Sequence, residues 1–113
     1  MEDQLKNQET DEAVVGATPA FVLRKPTHFE GQDYSKLDLN FDRLTGTDLI
    51  NCERQYMSEA NRTGYYAQVK DTSKLYLAYV AACAASVPPQ LIFALSAADF
   101  TRITLRAQNF LLL

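Results

Sequence analysis

The chain has 113 residues, of which 47% are hydrophobic and 22% are charged, and its formal net charge at pH 7 is −3. A chain of this length favours a single domain with a modest core. It lacks the excess of positive charge that holds a nucleic-acid backbone, so we expect no nucleic-acid partner.

Acidic residues are concentrated near the N-terminus. Residues 1–18 contain five acids and one base, whereas the remainder contains nine acids and ten bases. The acidic stretch has few large apolar residues, which is typical of disorder. We therefore predict a disordered acidic tail over residues 1–18 and a single α+β domain over residues 19–113.

The cysteine content and the apolar runs indicate the compartment. Cys52 and Cys83 lie in apolar helical patterns, and two isolated cysteines make neither a disulfide framework nor a metal-binding pair. The N-terminus lacks a signal-peptide pattern. The longest apolar run, residues 75–85, is too short to cross a bilayer. These features predict a soluble, intracellular protein with no membrane partner.

Two extended runs, near residues 20–29 and 33–39, come first in the predicted domain. Glu30, Gly31 and Gln32 separate them, and Gly31 can adopt a positive φ without a Cβ penalty. The pattern predicts a β-hairpin. Pro26 cannot donate a ladder hydrogen bond, so the first strand is expected to be an edge strand or to be broken there.

The first helix is predicted over residues 46–60. Thr45 is a suitable N-cap, and Asp48 follows three residues later, as in a capping box. Asn61 and Gly64 are expected to end the helix. Its apolar seam consists of Leu49, Cys52, Tyr56 and Ala60, flanked by Ile50 and Met57.

The second helix is predicted over residues 71–87, with Asp71 or Thr72 as its cap. Its middle is rich in alanine and apolar on every side. A helix with this pattern lies in the middle of a protein or in a shared interface. Pro88 and Pro89 stop it.

Pro89 can begin a further short helix, and Ser96 with Asp99 predicts the cap of the last one. Phe100, Ile103, Ala107 and Phe110 mark one face of that last helix, and Arg102, Arg106, Gln108 and Asn109 mark the other. The fold class is therefore predicted as α+β, with an N-terminal β-hairpin followed by a small bundle of three to four helices.

Site chemistry is scarce. Residues 38–42 begin like a calcium-binding loop, but Arg43 and Leu49 stand where that loop needs Gly and Glu. His28 has the carboxylates of Glu30 and Asp33 near it in the sequence, but nothing marks a nucleophile, so it is interpreted as a surface residue. We predict no catalytic residue, no metal site and no cofactor. Tyr65 and Tyr66, in the connection between two helices, are candidates for an interface.

The order of short motifs resembles the tail assembly chaperones of long-tailed bacteriophages and prophages, over about residues 20–113. The similarity rests on order, spacing and length rather than on any single motif. The motif residues are Leu23, Lys25 and Pro26; Phe29, Glu30 and Gly31; Leu37, Asp38 and Leu39; Leu44, Thr45, Gly46, Asp48 and Leu49; Glu53 and Arg54; Asp99 and Phe100; and Asn109 to Leu111.

This resemblance implies a non-enzymatic function. Members of that family bind the long, helical tape measure protein and keep it soluble while the tail tube assembles, and they are absent from the mature virion. It also implies self-association into a homo-oligomer, location in the cytoplasm of the bacterial host, and the tail tube protein as a further partner. A longer product made by frameshifting would suit the apolar end of the chain.

Apolar helical stripes of a tape measure protein need a complementary apolar groove. We place that groove between the first and last helices. Its predicted partner-binding residues are Ile50, Tyr56, Met57, Phe100, Ile103 and Phe110; the alternative for each of them is a place in the core.

Two other functions fit the same features. One is a small structural head–tail connector or tail-completion protein of a phage or prophage, which would remain in purified virions. The other is a regulatory enzyme subunit or ligand-binding module, which would need convergent polar groups in an apolar pocket. The sequence offers no such set of groups.

Overall fold

The computed structural model describes residues 20–64 and 73–112. An antiparallel hairpin of β1 (Ala20–Phe29) and β2 (Gln32–Asp38) comes first, followed by a 3-10 turn, Phe41–Arg43. Four helices follow: α1 (Gly46–Thr63), α2 (Lys74–Ala85), α3 (Pro89–Phe93) and α4 (Ala97–Leu112). This arrangement confirms the predicted α+β class. The predicted acidic tail and the Tyr65–Tyr66 pair lie outside the described residues.

A two-residue turn closes the hairpin. Phe29 pairs with Gln32, and Glu30 and Gly31 between them both have positive φ, 50° and 77°. This combination matches the right-handed twist of paired strands, and Gly31 adopts it at no steric cost. The sequence analysis predicted Gly31 in the turn, as found. It also placed Gln32 between the strands, but Gln32 is the first residue of β2.

The ladder between the strands is interrupted at Pro26. Val22 pairs with Lys36 and Thr27 with Tyr34, so residues 23–26 of β1 lie opposite Ser35 alone. The predicted break at Pro26 is confirmed, because a residue without an N–H fits a bulge that makes no ladder bond. The bulge leaves the N–H groups of Arg24 and Lys25 without strand partners.

Asp99 of α4 accepts hydrogen bonds from both of these N–H groups. Arg24 N lies 3.0 Å from Oδ1 and Lys25 N lies 3.1 Å from Oδ2 of this fully buried carboxylate. Arg102 donates to Oδ1 at 2.7 Å and Ser96 Oγ donates to Oδ2 at 3.2 Å. The Asp99 side chain therefore accepts hydrogen bonds from the N–H groups that the bulge leaves unpaired, and it attaches the hairpin to α4.

The guanidinium group of Arg102 extends this junction. It donates to the carbonyl oxygen of Val22 at 3.2 Å and lies 4.5 Å from the ring centroid of Phe21, which is fully buried. A guanidinium stacked on an aromatic face is attracted by the ring quadrupole. Arg102 thus neutralises Asp99 and covers the hairpin end of the core.

Helix α2 occupies the centre of the domain. Nearly every residue from Tyr76 to Ala85 is buried, with Cys83 the half-buried exception. Both α1 and α4 pack against α2, and α3 folds back on it. The central position predicted from its all-round apolar pattern is confirmed, and its alanines permit the close approach of the neighbouring helices.

The helix ends agree in part with the predictions. Thr45 and Asp48 form the predicted capping box of α1, and Gly64 caps its C-terminus with φ 77°. Helix α1 nevertheless continues through Asn61 to Thr63. Helix α2 begins at Lys74 with Ser73 at its N-cap, so the prediction of Asp71 or Thr72 was wrong. Ser96 and Asp99 cap α4 as predicted, with Asp99 N donating to Ser96 Oγ at 3.3 Å.

The C-terminal end of α2 is held by Arg43 from the 3-10 turn. Its guanidinium donates to the carbonyl oxygens of Cys83 and Ala84 and to Ser86 Oγ. The last carbonyls of a helix have no partners within the helix, and a cation there also opposes the negative end of the macrodipole. Arg43 therefore links the chain between hairpin and α1 to the central helix.

Replacing Asp99 with Ala should lower the free energy of unfolding by about 3 to 5 kcal/mol, because two partly buried N–H groups and Arg102 lose their acceptor. Urea denaturation followed by circular dichroism measures this. The matched control is Asp42→Ala, which removes an exposed carboxylate from the 3-10 turn. Equal midpoints for the two variants would contradict the role of Asp99.

Stability should also fall in acid because of Asp99. Burial tends to raise the pKa of this carboxyl, but the bonds from Arg24, Lys25, Ser96 and Arg102 outweigh burial and hold the pKa below its usual value. A depressed pKa contributes stability above the unfolded-state value of about 4 and loses it as the pH falls through the folded-state value. Urea midpoints between pH 7 and pH 2 should decline less in Asp99→Asn than in the parent chain.

Candidate functional site

Helix α1 exposes two large apolar side chains on its outer flank. Ile50 is 52% exposed and Met57 is 42% exposed, although the seam of Cys52, Tyr56 and Ala60 on the same helix is buried. Seven residues are close to two helical turns, so the two side chains lie on one line about 10 Å apart. We call Ile50 and Met57 the α1 stripe.

The other predicted partner-binding residues lie in or against the core. Tyr56 is 2% exposed and packs edge-to-face on Tyr76, with ring centroids 6.1 Å apart. Ile103 is fully buried. Phe100 is half-buried, and Phe110 stacks on Phe41 at 5.1 Å, which attaches the 3-10 turn to α4.

The structure does not bring all six predicted residues into one groove. Helices α1 and α4 both pack on α2 rather than chiefly on each other. Tyr56 and Ile103 face the interior, so in this conformation neither is available to a partner. Of the six, Ile50 and Met57 have the most exposed side chains, and their binding of a partner stays a prediction.

Helix α4 has an exposed apolar pair that the sequence analysis missed. Leu105 is 52% exposed and Leu112 is 69% exposed, again seven residues apart. The predicted polar face was partly wrong, because Arg102 and Arg106 instead lie near the Phe21 ring, 4.5 and 5.4 Å from its centroid. The i, i+7 spacing of Leu105 and Leu112 was visible in the sequence and could have identified this α4 stripe.

A surface cleft of about 190 Å³ separates part of α1 from α2. Helix α1 supplies mostly polar side chains to one wall of the cleft. Helix α2 and the start of α3 form the opposite wall. The lining residues are Asp48, Asn51, Cys52, Gln55, Tyr79, Ala82, Cys83, Val87 and Pro89. Asp48, Asn51 and Gln55 lie on the flank of α1 away from the α1 stripe, so the cleft and the stripe are separate surfaces.

Two free thiols meet in this cleft. Cys52 is buried and Cys83 half-buried, and both side chains line the cleft. Burial raises the pKa of Cys52 to about 12, helped by Cys83 and by the negative charge of Asp48. Burial also raises the pKa of Cys83, with Arg43 and the hydrogen bond from Cys52 acting in the opposite direction. Both groups are therefore protonated at neutral pH.

In the described part of the chain, the other ionisable groups considered have structural roles or lie in water. His28 Nδ1 lies 2.7 Å from Asp33 Oδ1 on the exposed hairpin, as the prediction of a surface histidine requires. Asp99 is engaged by the hairpin and Arg102. Within residues 20–64 and 73–112, no group of three or more His, Cys, Asp or Glu side chains is placed to hold a metal ion.

Comparisons with protein-family models, with curated protein sequences and with solved structures find no match to this chain. Among the helices of the described residues, none combines the length and the apolar character needed to span a bilayer. The candidate functional surfaces are therefore chosen from the structure of this chain alone. They are the α1 stripe, the α4 stripe and the cleft.

The stabilities of the variants Ile50→Asp and Ile103→Asp should show that position 50 is on the surface and position 103 in the core. An aspartate at position 103 would place an unpaired charge in the interior and should cost more than about 4 kcal/mol, whereas position 50 is exposed and should cost within about 0.5 kcal/mol. Circular dichroism in urea measures both. Similar midpoints for the two variants would contradict the placement of these residues.

Proposed function

We propose that this protein is a tail assembly chaperone of a long-tailed phage or prophage. It binds apolar helical segments of the tape measure protein, keeps that protein soluble while the tail tube assembles, and performs no catalysis. The observation on which the proposal rests is the exposed α1 stripe, considered together with the motif order of residues 20–113. Self-association, a cytoplasmic location and absence from the virion are part of the same proposal.

The chemistry of the α1 stripe suits a helical partner. Ile50 and Met57 supply apolar surface at the spacing of two helical turns, which is also the spacing of anchor residues on an amphipathic helix. Methionine is unbranched and polarisable, so it adapts to partners of differing shape. Glu53 and Arg54, both exposed, lie between the two in sequence. Such opposite charges beside an apolar centre resemble the polar rim of an interface.

The total exposed apolar surface also supports partner binding. In the part of the chain that the structure describes, several large hydrophobic residues are more than two-fifths exposed, even though α2 is almost fully covered. They are Val22, Ile50, Met57, Phe93, Leu105 and Leu112. Single exposed hydrophobics are ordinary, but two aligned pairs on two helices are what a helix-binding protein would present.

The double variant Ile50→Asp/Met57→Asp should bind the tape measure protein at least about tenfold more weakly, because charges replace the apolar contacts of the interface. Co-expression with the tape measure protein of the same phage, followed by affinity purification and titration, measures this. Ser58→Asp is the matched control, since it adds a charge at an exposed position of the same helix.

Folding of both variants is checked by circular dichroism. A folded double variant that co-purifies as well as Ser58→Asp would refute binding through the α1 stripe. If the parent chain also fails to bind the tape measure protein, the function itself is wrong. Recovery of the protein from purified virions would instead favour a connector or tail-completion protein.

A further inference from the structure

The cleft between α1 and α2 contains two thiols for which the proposed function has no use. Cys52 comes from α1 and Cys83 from α2, thirty-one positions further along the chain, and both line the same cleft. Both are free. Each affects the pKa of the other, so the two side chains are close neighbours on the wall of this cleft.

We propose that Cys52 and Cys83 form a dithiol site that a low-molecular-weight disulfide, such as oxidised glutathione, converts into an intramolecular disulfide joining α1 to α2. The inference does not depend on the proposed function. The oxidant enters through the cleft, and the new disulfide bond links α1 to α2.

The two cysteines have different parts in this reaction. Cys83 is half-buried at the cleft, whereas Cys52 is only 3% exposed, so the oxidant reaches Cys83 first. The Cys52 thiol donates towards the Cys83 sulfur, and the Arg43 guanidinium is close to Cys83; both favour the Cys83 thiolate, which Asp48 and burial oppose. Cys83 is therefore the attacking residue and Cys52 the resolving one.

The reaction balances in two exchanges. The Cys83 thiolate attacks one sulfur of oxidised glutathione, breaks its S–S bond and releases one glutathione thiolate, which leaves a mixed disulfide on Cys83. The Cys52 thiolate then attacks the Cys83 sulfur and releases the second glutathione thiolate. The protein loses two protons and two electrons, and the oxidant is reduced to two glutathione thiols.

The protonated state of both thiols limits the rate at neutral pH. The thiolate is the reactive form, and both pKa values are raised by burial. Among the described residues, the titratable and charged groups that face the pair are Asp48 from α1, Arg43 from the 3-10 turn and Tyr79 from α2. We expect closure to become faster as the pH rises from 7 to 9, by up to about tenfold per pH unit.

The test uses the full chain, incubated with oxidised glutathione and then treated with N-ethylmaleimide under denaturing conditions. The parent chain should lose two hydrogen atoms, about 2 Da, and take up neither glutathione nor maleimide. Cys52→Ser should accumulate a single glutathione on Cys83, because the resolving thiol is absent. Cys83→Ser should remain unmodified over the same interval, because Cys52 is buried.

Several results would overturn the inference. These are stable glutathione adducts on the parent chain, a disulfide-linked dimer, or thiols that react after unfolding in urea but not in the folded protein. The parent measurement decides the question even if a serine variant fails to fold. The oxidised chain should also unfold at a temperature about 5 °C or more above the reduced chain; a lower midpoint would contradict the inferred proximity of the two sulfurs.

Discussion

The contact between the Asp99 carboxylate and the bulge of β1 is the constraint on which the placement of the hairpin depends. A two-stranded hairpin is marginal in water by itself and needs a surface to pack on. The bulge adds a cost, since it leaves the N–H groups of Arg24 and Lys25 without ladder partners. A buried carboxylate in the first turn of α4 satisfies both groups and suits the helix dipole. The contact fixes the position of β1 on α4, and Phe21 and Leu23 are thereby buried on the helical layer.

The second constraint is α2, which has no polar face. Such a helix must be covered on all sides, and here α1, α3, α4 and the chain near the 3-10 turn cover it. Each covering helix directs its own apolar seam inward, as Cys52 and Tyr56 do on α1 and Ile103 and Ala107 on α4. Apolar residues on their outer flanks then have no internal partner. The exposed stripes are thus additional to the core and remain on the outside of the domain.

Local patterns in the sequence predicted much of this fold. The capping box at Thr45 and the cap at Ser96 depend on contacts within one helical turn, so short motifs suffice to identify them. The burial of α2 followed from its composition. The bond between Asp99 and the hairpin could not be predicted from a short motif. The donors are main-chain N–H groups 74 and 75 positions away in the sequence. Any residue type except proline can supply such a donor.

The candidate site was predicted less well than the fold, for a related reason. Periodicity shows which residues share a face of a helix, but not how wide the buried part of that face is. Tyr56 and Ile103 fall within the covered part and Ile50 and Met57 outside it. On α4 the side-chain type was misleading, since an arginine guanidinium can lie over an aromatic ring, where the ring quadrupole attracts it. Arg102 and Arg106 do so over Phe21, and Leu105 and Leu112 are left on the outside.

Cys52 and the α1 stripe lie on separate flanks of α1, and this separation has a consequence for how the dithiol site and the stripe can influence each other. A disulfide between Cys52 and Cys83 would add no group to the α1 stripe and would remove none. It would act through the backbone, because it fixes α1 on α2 at a point between Ile50 and Met57. A partner that needs α1 to adjust its position would be affected by such a bond, whereas a partner that fits the stripe as it stands would not.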